Sequence, residues 1–315
     1  MEYRWSLEKL YKSFEDEKFL EDNKNMPILL DDFILWTKEN ITTLTKENLE
    51  EFLKKNIEIK KSFERLMAFG QLSYTVNVKD ENAKRLIEQC ENLFVKFTEI
   101  EVIFAESLKN TENLENIINS SDFLKEHSFY LLEIKEDTKY MLSKSEELAI
   151  EKIKNTGSRA WSKLQETLTA TLNIEVEVDG EKKTLPLPAI RNLAYEDSQD
   201  TRKSAYYAEL KAYERIDESV ASALNAIKGE AIQETEMRAY DSILSRTLKD
   251  SRIQEKTLAA MLEAMKESLP NFAKFLRKKA ELLGHKNGLP FYDIFAPMGE
   301  ANLTFTEDEA ISFII

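Results

Sequence analysis

Hydrophobic positions recur every three or four residues over long stretches of this 315-residue chain, which is the spacing of one face of an α-helix. One such face is formed by Leu49, Leu53, Ile57 and Phe63. Another helical pattern follows Pro27, which we expect to open that helix because proline suits the first helical turn. The chain has only seven Gly and six Pro, too few for many short strands joined by turns. The pattern therefore predicts a mainly α fold, an elongated array of many helices.

One segment departs from helical spacing. Ile174, Val176 and Val178 alternate with acidic residues, as in a half-buried β-strand. Asp179 and Gly180 follow, and they suit the positive-φ positions of a tight hairpin turn. We therefore predict one β-hairpin over residues 174 to 185. Because helical patterns lie on both sides, the hairpin is expected to lie at the boundary between two helical parts.

Helix boundaries are predicted on both sides of the hairpin. Before it, Ser143 and Glu146 have the spacing of a capping box. After it, a long helix is predicted from near Asp200, and another from about Ile253 to Leu283, with Gly284 as its left-handed cap. The helix near Asp200 carries a hydrophobic stripe that we expect to be core: Tyr206, Leu210, Tyr213, Val220, Leu224, Ile227 and Ala231. The predicted domains are residues 1–190, ending in the hairpin, and residues 191–315.

The charge balance narrows the classes of partner. The formal net charge is −14 at pH 7, which disfavours nucleic acid and anionic membranes because both bind basic surfaces. No apolar stretch approaches the roughly 20 residues needed to span a bilayer, and the first residues lack a signal-peptide core. The single cysteine, Cys90, cannot form an internal disulfide and is expected to be a buried thiol on a helix. We therefore predict a cytoplasmic protein without nucleic-acid or membrane partners.

Candidate catalytic chemistry is sparse. The two histidines, His127 and His285, each lack a second His or Cys within five residues, so no local zinc pair can form. His285 is expected to be a surface or capping residue past a helix end, and His127 a linker residue. No nucleophile elbow or phosphate-binding loop is present. Among 58 Asp and Glu residues, choosing an acid/base pair would be arbitrary. The residues alone therefore predict no catalytic, cofactor-binding or metal-binding site.

The chain nevertheless opens with a short motif, Trp5-Ser6-Leu7 with Leu10-Tyr11, and further short motifs follow it. In order and spacing these motifs resemble those of the oligoendopeptidase F family of zinc metallopeptidases, which are thimet-oligopeptidase-like and start with W-[DN]-L-x-x-L-Y. Near the end, Tyr292-Asp293 and Ala296-Pro297 match a family Y-D-x-x-A-P pattern. Between them the resemblance continues through LMAFGQLSYTVNVKDENAK, SEELAIEKIKNTGSRAWSKL, the hairpin, DSQDTRKSAYYAELKAYERIDESVASALNAI and EMRAYDSILSRTL.

The resemblance implies a function that this chain cannot perform by itself. The family has a nearly all-helical fold around a deep channel. Its members hydrolyse oligopeptides at a zinc ion held by an H-E-x-x-H helix and a later Glu. The two His of that motif share one helix face and the intervening Glu acts as general base. This sequence has no His-Glu dipeptide, so none of the family's metal ligands or catalytic residues carries over to it, and no zinc is expected on this chain.

The final residues predict why the motif is missing. A helix is expected to start near Thr306 and Glu309 and to stop after about two turns at Ile315. We therefore expect the N-terminal half of a larger enzyme, in which residues 191–315 are the first part of the catalytic domain, truncated before the zinc motif. The cut end would expose Ile311, Phe313 and their apolar neighbours, so self-association through it is expected.

Two hypotheses remain from the sequence. In the first, the intact protein is a cytoplasmic zinc oligopeptidase acting on oligopeptides, and this chain is its inactive N-terminal portion. In the second, the chain is a complete helical protein-interaction module without enzymatic activity, binding a partner in a groove between helices. An H-E-x-x-H encoded beyond Ile315 would establish the first, and a stop codon there would support the second.

Overall fold

The computed structural model describes residues 6–299 and 304–314. Of these residues, 73% lie in helices, and the only sheet within the described ranges has two strands. The predicted mainly α fold with one β-hairpin is therefore confirmed. Trp5 and Ile315, which the sequence analysis singled out, lie outside the described residues.

The chain forms two compact units, each made of two segments. Met1–Thr167 and Ala221–Ser251 contribute to the first unit, and Leu168–Val220 and Arg252–Ile315 contribute to the second. The hairpin thus shares a unit with the chain's last segment. The boundary at residue 190 stays a prediction about the domains of the intact protein.

The helices and strands follow one another in chain order. The elements up to the hairpin are α1 (Glu17–Asn40), α2 (Lys46–Val76), α3 (Glu81–Lys109), α4 (Leu114–Asn119), α5 (Asp122–Glu126), α6 (Ser128–Asp137), α7 (Lys144–Lys154) and α8 (Ser158–Ala170). The hairpin and later elements are β1 (Asn173–Val178), β2 (Glu181–Pro186), α9 (Leu187–Asn192), α10 (Gln199–Tyr213), α11 (Asp217–Met237), α12 (Ile243–Asp250), α13 (Glu255–Leu282) and α14 (Glu307–Ile314).

The core of the first unit lies among α1, α2 and α3, which pack against one another. Leu30, Leu66 and Ile100 are completely buried there. The rings of Phe52 and Phe104 stack with their centroids 4.0 Å apart. Each such side chain contributes about 1.5–3 kcal/mol relative to leaving it in water. The hydrophobic spacing seen along these helices is therefore explained by burial on one face.

The start of α1 differs from the prediction. Pro27 lies inside this helix rather than at its opening. The helix starts ten residues earlier, at Glu17, because the Asp16 carboxylate accepts the Lys18 N–H at 3.0 Å and caps it. An internal proline removes one backbone hydrogen bond. Burial of apolar residues on both sides of Pro27, such as Phe19 and Phe33, offsets that loss.

The hairpin of the second unit is built as predicted. Asp179 and Gly180 form its turn with φ values of 54° and 80°, so the positive φ that Asp-Gly favours is used at both positions. Val178 pairs with Glu181 across the turn. The inward side chains of β1, those of Ile174, Val176 and Val178, are buried.

The stretch from near Asp200 forms two helices, α10 and α11, and not the predicted single helix. Its start is capped by the Ser198 hydroxyl, which accepts the Thr201 N–H at 3.2 Å, and α10 ends at Tyr213 before α11 begins. The predicted core stripe from Tyr206 to Ala231 is only partly right, since none of its seven members is fully buried. Tyr213 and Val220 do pack against the core of the second unit.

The buried face of α10 is instead formed by small side chains. Ala205 and Ala212 pack into the core of the second unit together with Ile216 just beyond the helix. Their small size lets β1 lie close against α10, and Arg215 donates to the backbone oxygen of Asn173 at 2.6 Å. The larger apolar residues lie beside this face and remain partly exposed.

The other predicted boundaries agree with the structure. Ser143 and Glu146 form the capping box of α7. Gly284 follows the end of α13 with φ +80°. The last helix starts as predicted, because the Thr306 N–H donates to Glu309 Oε2 at 2.7 Å. Cys90 is buried on α3, as predicted.

Candidate functional site

The two histidines that the sequence analysis weighed lie in different compact units. His127 joins α5 to α6, and its Nδ1 lies 2.8 Å from the backbone oxygen of Phe123. The two rings also pack together, with centroids 4.5 Å apart. These contacts give His127 a local structural role in the linker, as its position in the sequence suggested.

His285 has the capping role that was one of the two predicted for it, since its backbone N–H donates to the Ala280 oxygen at 2.8 Å at the end of α13. Its side chain is only 17% exposed and makes contacts that the sequence did not predict. Its Nε2 lies 2.6 Å from Oδ2 of Asp293, and the Asp293 side chain is completely buried. Arg202 donates to the other carboxylate oxygen, Oδ1, from Nε at 2.9 Å and from Nη2 at 2.8 Å. Gln199 Nε2 donates to Oδ2 at 2.8 Å. Asp293 is therefore the centre of a four-residue cluster, which we call the Asp293 cluster.

The cluster holds Asp293 in its ionised form. Burial by itself would raise the pKa of this carboxyl, but hydrogen bonds from Gln199, His285 and Arg202 outweigh burial and lower the pKa below its usual value. Because both oxygens already accept from several donors, the carboxylate is not poised to accept a substrate proton. The geometry is that of an anchor rather than of a general base.

The same cluster fixes the segment that follows α13. Arg202 Nη1 donates to the backbone oxygens of Glu196 and Asp197 at 2.6 and 2.8 Å, so it also holds the turn before α10. Lys279 Nζ donates to the backbone oxygen of Ile294 at 2.8 Å. Of the family-like Y-D-x-x-A-P pattern, Asp293 and Ala296 are the buried positions. That pattern is therefore explained by packing of the connection against α10.

The residues present do not fit the zinc ion that the family resemblance implies. Within residues 6–299 and 304–314, no group of three or more His, Cys, Asp or Glu side chains could hold a metal ion. His285 and Asp293 lie together, but both oxygens of Asp293 already accept hydrogen bonds, Oδ1 from Arg202 and Oδ2 from Gln199. No catalytic step is therefore assigned to zinc on these residues.

A second charged cluster lies in the first unit. Arg238 donates to both oxygens of Glu147, at 2.7 and 2.8 Å. It also pairs with Glu234 at 3.0 Å, which accepts from Lys154 and Arg246 as well, each at 3.1 Å. Burial by itself would raise the pKa of Glu234, but these cations outweigh burial and lower it to about 2. This cluster joins α7, α11 and α12.

Sequence reasoning missed both clusters. Asp293 and Arg202 are 91 positions apart, and Glu147 and Arg238 are also 91 positions apart. Charged residues are too frequent in this chain for their types alone to identify such pairs. The usable signal was the Asp293 position itself, an acidic residue among Tyr292, Ile294 and other apolar neighbours.

Solved peptidase structures share the fold of this chain. A crystal structure of oligoendopeptidase-F from Enterococcus faecium matches 88% of this chain and 56% of its own, with a TM-score of 0.73 and 16% sequence identity. A putative peptidase from Chlamydophila abortus matches 98% of this chain and 52% of its own, with a TM-score of 0.63 and 18% identity. The fold is therefore that of the helical oligoendopeptidase F structures.

Sequence comparison finds similarity to the same family. The family model described as Oligopeptidase F matches residues 110–173. An oligoendopeptidase F homolog from Lactococcus lactis subsp. lactis is 21% identical over 320 residues, which cover 98% of this chain and 51% of that relative. The predicted relationship to the oligoendopeptidase F family is thereby confirmed. The chain spans about half the length of the curated relatives it matches.

None of the helices in the described residues is long and apolar enough to cross a membrane.

Proposed function

We propose that this chain is the N-terminal portion of a zinc metallo-oligopeptidase that hydrolyses internal bonds of short peptides. The observation that carries the proposal is the alignment of 98% of this chain with 51% of an oligoendopeptidase F homolog. The helical fold shared with peptidase structures supports it. Oligopeptides are the proposed substrates of the intact protein, and the cytoplasm is its proposed location.

In this proposal, zinc and the residues that bind it belong to the part of the relatives that this chain does not match. The two histidines here support that division, since one is held by Asp293 and the other by a backbone oxygen. The chain by itself is therefore expected neither to bind zinc tightly nor to cleave peptides. Its proposed role is to supply helical scaffold for the peptidase, and its own C-terminal helix is a proposed site of self-association.

The proposal is tested by comparing this chain with the protein encoded when the coding sequence is read beyond residue 315. An internally quenched oligopeptide serves as substrate for both, before and after treatment with a chelator, and bound metal is measured in parallel. We expect chelator-sensitive hydrolysis and one zinc only in the longer protein. A stop codon after residue 315, or peptide cleavage by the 315-residue chain with one retained zinc, would contradict the proposal.

A protein-interaction module without activity is the second candidate. The exposed apolar residues of α13 favour it, among them Leu269, Phe272 and Phe275, which are 60–62% exposed. Such a face suits docking against another protein surface. If no longer reading frame exists, and the chain binds no metal, this second function is the one to pursue.

A further inference from the structure

One side of α13 is apolar over several turns and lies open to solvent. Its large side chains follow one another mostly at steps of three and four residues, so they share one face of the helix. They are 47–62% exposed. The residues that form this surface, the apolar face of α13, are Met261, Leu262, Met265, Leu269, Phe272 and Phe275.

The opposite side of α13 carries its charges. Glu263, Glu267 and Lys274 are exposed there, and Lys278 pairs with Glu281 at 3.0 Å. A helix with charges on one side and large apolar side chains on the other packs its apolar side against a protein core. The exposed apolar face therefore indicates a covering layer that the described residues of this chain do not supply.

The end of α13 shows where that covering begins. Lys279 and Ala280 are buried, and Lys279 Nζ donates to the backbone oxygen of Ile294 at 2.8 Å. The connection after α13 thus covers the last turn of the helix. The apolar face lies before this turn and stays exposed.

The width of the face indicates what kind of structure covers it. Leu262, Met265, Leu269 and Phe272 alternate at three and four residues, which is the pattern of contact with one helix that runs along α13. Phe275 lies to one side of that line and, with Met261, widens the face beyond the two positions per heptad of a two-helix contact. A second copy of α13 alone would leave this side uncovered. The face suits packing against at least two helices, as in the core of a bundle.

The relatives keep this helix in longer chains. The alignment with the Lactococcus lactis homolog takes in 98% of this chain, too much to leave out the 28 residues of α13, but only 51% of the relative. The other half of that relative has no counterpart here and is long enough to supply several helices. A layer over α13 can therefore come from the same polypeptide.

We propose that, in the intact protein, at least two helices encoded beyond residue 315 pack on the apolar face of α13. One runs along Leu262 and Leu269, and the other covers the side that carries Phe275. This proposal rests on the proposed function, because it takes the unmatched half of the relatives to be present in the intact protein.

Cysteine labelling tests the proposal in the 315-residue chain and in the protein encoded when the coding sequence is read further. Leu269→Cys places a thiol on the apolar face, and Lys274→Cys, the matched control, places one on the charged side of the same helix. The native Cys90 is buried and adds little signal. We expect Leu269→Cys to label about a hundredfold more slowly in the longer protein, because a covered thiol reacts only on local opening. Lys274→Cys should label equally fast in both proteins.

A charged substitution supplies a second measurement. Leu269→Asp should lower the unfolding temperature of the longer protein, where it would bury a carboxylate without a partner. In the 315-residue chain the same substitution should change the unfolding temperature little, since Leu269 is 60% exposed there. Ala260→Asp is the control, because Ala260 is exposed toward the charged side of α13, and it should change neither protein.

Peptide hydrolysis is measured on the same samples, so that this proposal and the peptidase function can fail separately. Slow labelling of Leu269→Cys in a longer protein that cleaves no peptide supports the packing on α13 and contradicts the peptidase function. Equal labelling in both proteins overturns the packing, even if the longer protein is active. Two other results also overturn it: protection that the longer protein shows only at high concentration, which means that a second copy covers the face, and a stop codon after residue 315.

Discussion

Arg202 donates two hydrogen bonds to a single oxygen of Asp293, from Nε at 2.9 Å and from Nη2 at 2.8 Å. Their side chains are 3% and 0% exposed. The pair joins α10 to the connection after α13, although 91 positions separate the two residues in the chain. A charge pair this deeply buried matters mostly through what happens when one partner is removed, because the other is left desolvated and unpaired.

Replacing Arg202 by methionine should therefore destabilise the protein strongly. Arg202→Met leaves the Asp293 carboxylate buried without its cation, at a cost of about 3–5 kcal/mol in the free energy of unfolding. Urea denaturation followed by circular dichroism measures it. The control is Lys278→Met, which removes an exposed pair with Glu281 and should cost at most about 1 kcal/mol. Equal effects of the two variants would show that the Asp293 cluster does not anchor the fold.

Acid should weaken the cluster around Glu234. The folded-state pKa of Glu234 is about 2, lowered from 4.5, so its stabilising effect is complete above the unfolded value and is lost as the pH falls toward the folded value. Between pH 5 and pH 3 the stability advantage of the unmodified chain over Glu234→Gln should shrink by about 2 kcal/mol. Urea denaturation at several pH values measures this difference.

The control for that experiment is Glu236→Gln, at an exposed position on the same helix. Its stability relative to the unmodified chain should vary much less with pH. If the difference between the Glu234→Gln variant and the unmodified chain stays constant from pH 5 to pH 3, the ion pairs of Glu234 do not lower its pKa in the folded protein.

The small residues on α10 should tolerate no enlargement. Ala205 is 2% exposed beneath the hairpin, so Ala205→Leu should force the strands outward and cost about 1–3 kcal/mol. Leu210→Ala, at a position that is 45% exposed, should cost less than about 1 kcal/mol. Thermal denaturation of both variants decides between the buried alanine face and the large apolar stripe. If Leu210→Ala lowers the stability more than Ala205→Leu does, the large apolar residues and not the alanines form the core face of α10.

Besides the C-terminal helix α14, the apolar face of α13 should promote association of the chain with itself. Phe272 and Phe275 are 62% and 61% exposed. Replacing both with glutamate should lower the concentration-dependent light scattering and the binding of an apolar dye. The control is a variant with glutamate at Ala259 and Asn271, which are exposed on the same helix but are small or polar. If both variants scatter light equally, negative charge rather than loss of the apolar face explains the change.

The sequence predicted best what is decided locally. The turn at Asp179 and Gly180 follows from the φ preferences of two adjacent residues, and the cap at Ser143 from residues within one helical turn. The stripe that includes Leu210 was wrong by one position along the helix, because Ala205 and Ala212 are compatible with either a buried or an exposed face. Only the neighbouring hairpin decides which face is covered.

The two charged clusters could not be predicted from short stretches of sequence, for a different reason. Pairing of Arg202 with Asp293 depends on how distant segments fold together, and any of the many Arg and Lys residues could have been the partner. The contact of the His285 side chain with Asp293 was missed for the same reason, since a position past a helix end predicts a capping role but gives no sign of the carboxylate.

The single thiol of this chain can report on how often the first unit opens. Cys90 is 1% exposed, and burial raises the pKa of its thiol to about 12, so a thiol reagent cannot attack it in the closed fold. The Cys90 thiol can then be modified only when α3 separates from its neighbouring helices. The rate of labelling at Cys90 therefore measures the population of transiently opened molecules. Local unfolding can be followed in this way without an engineered cysteine.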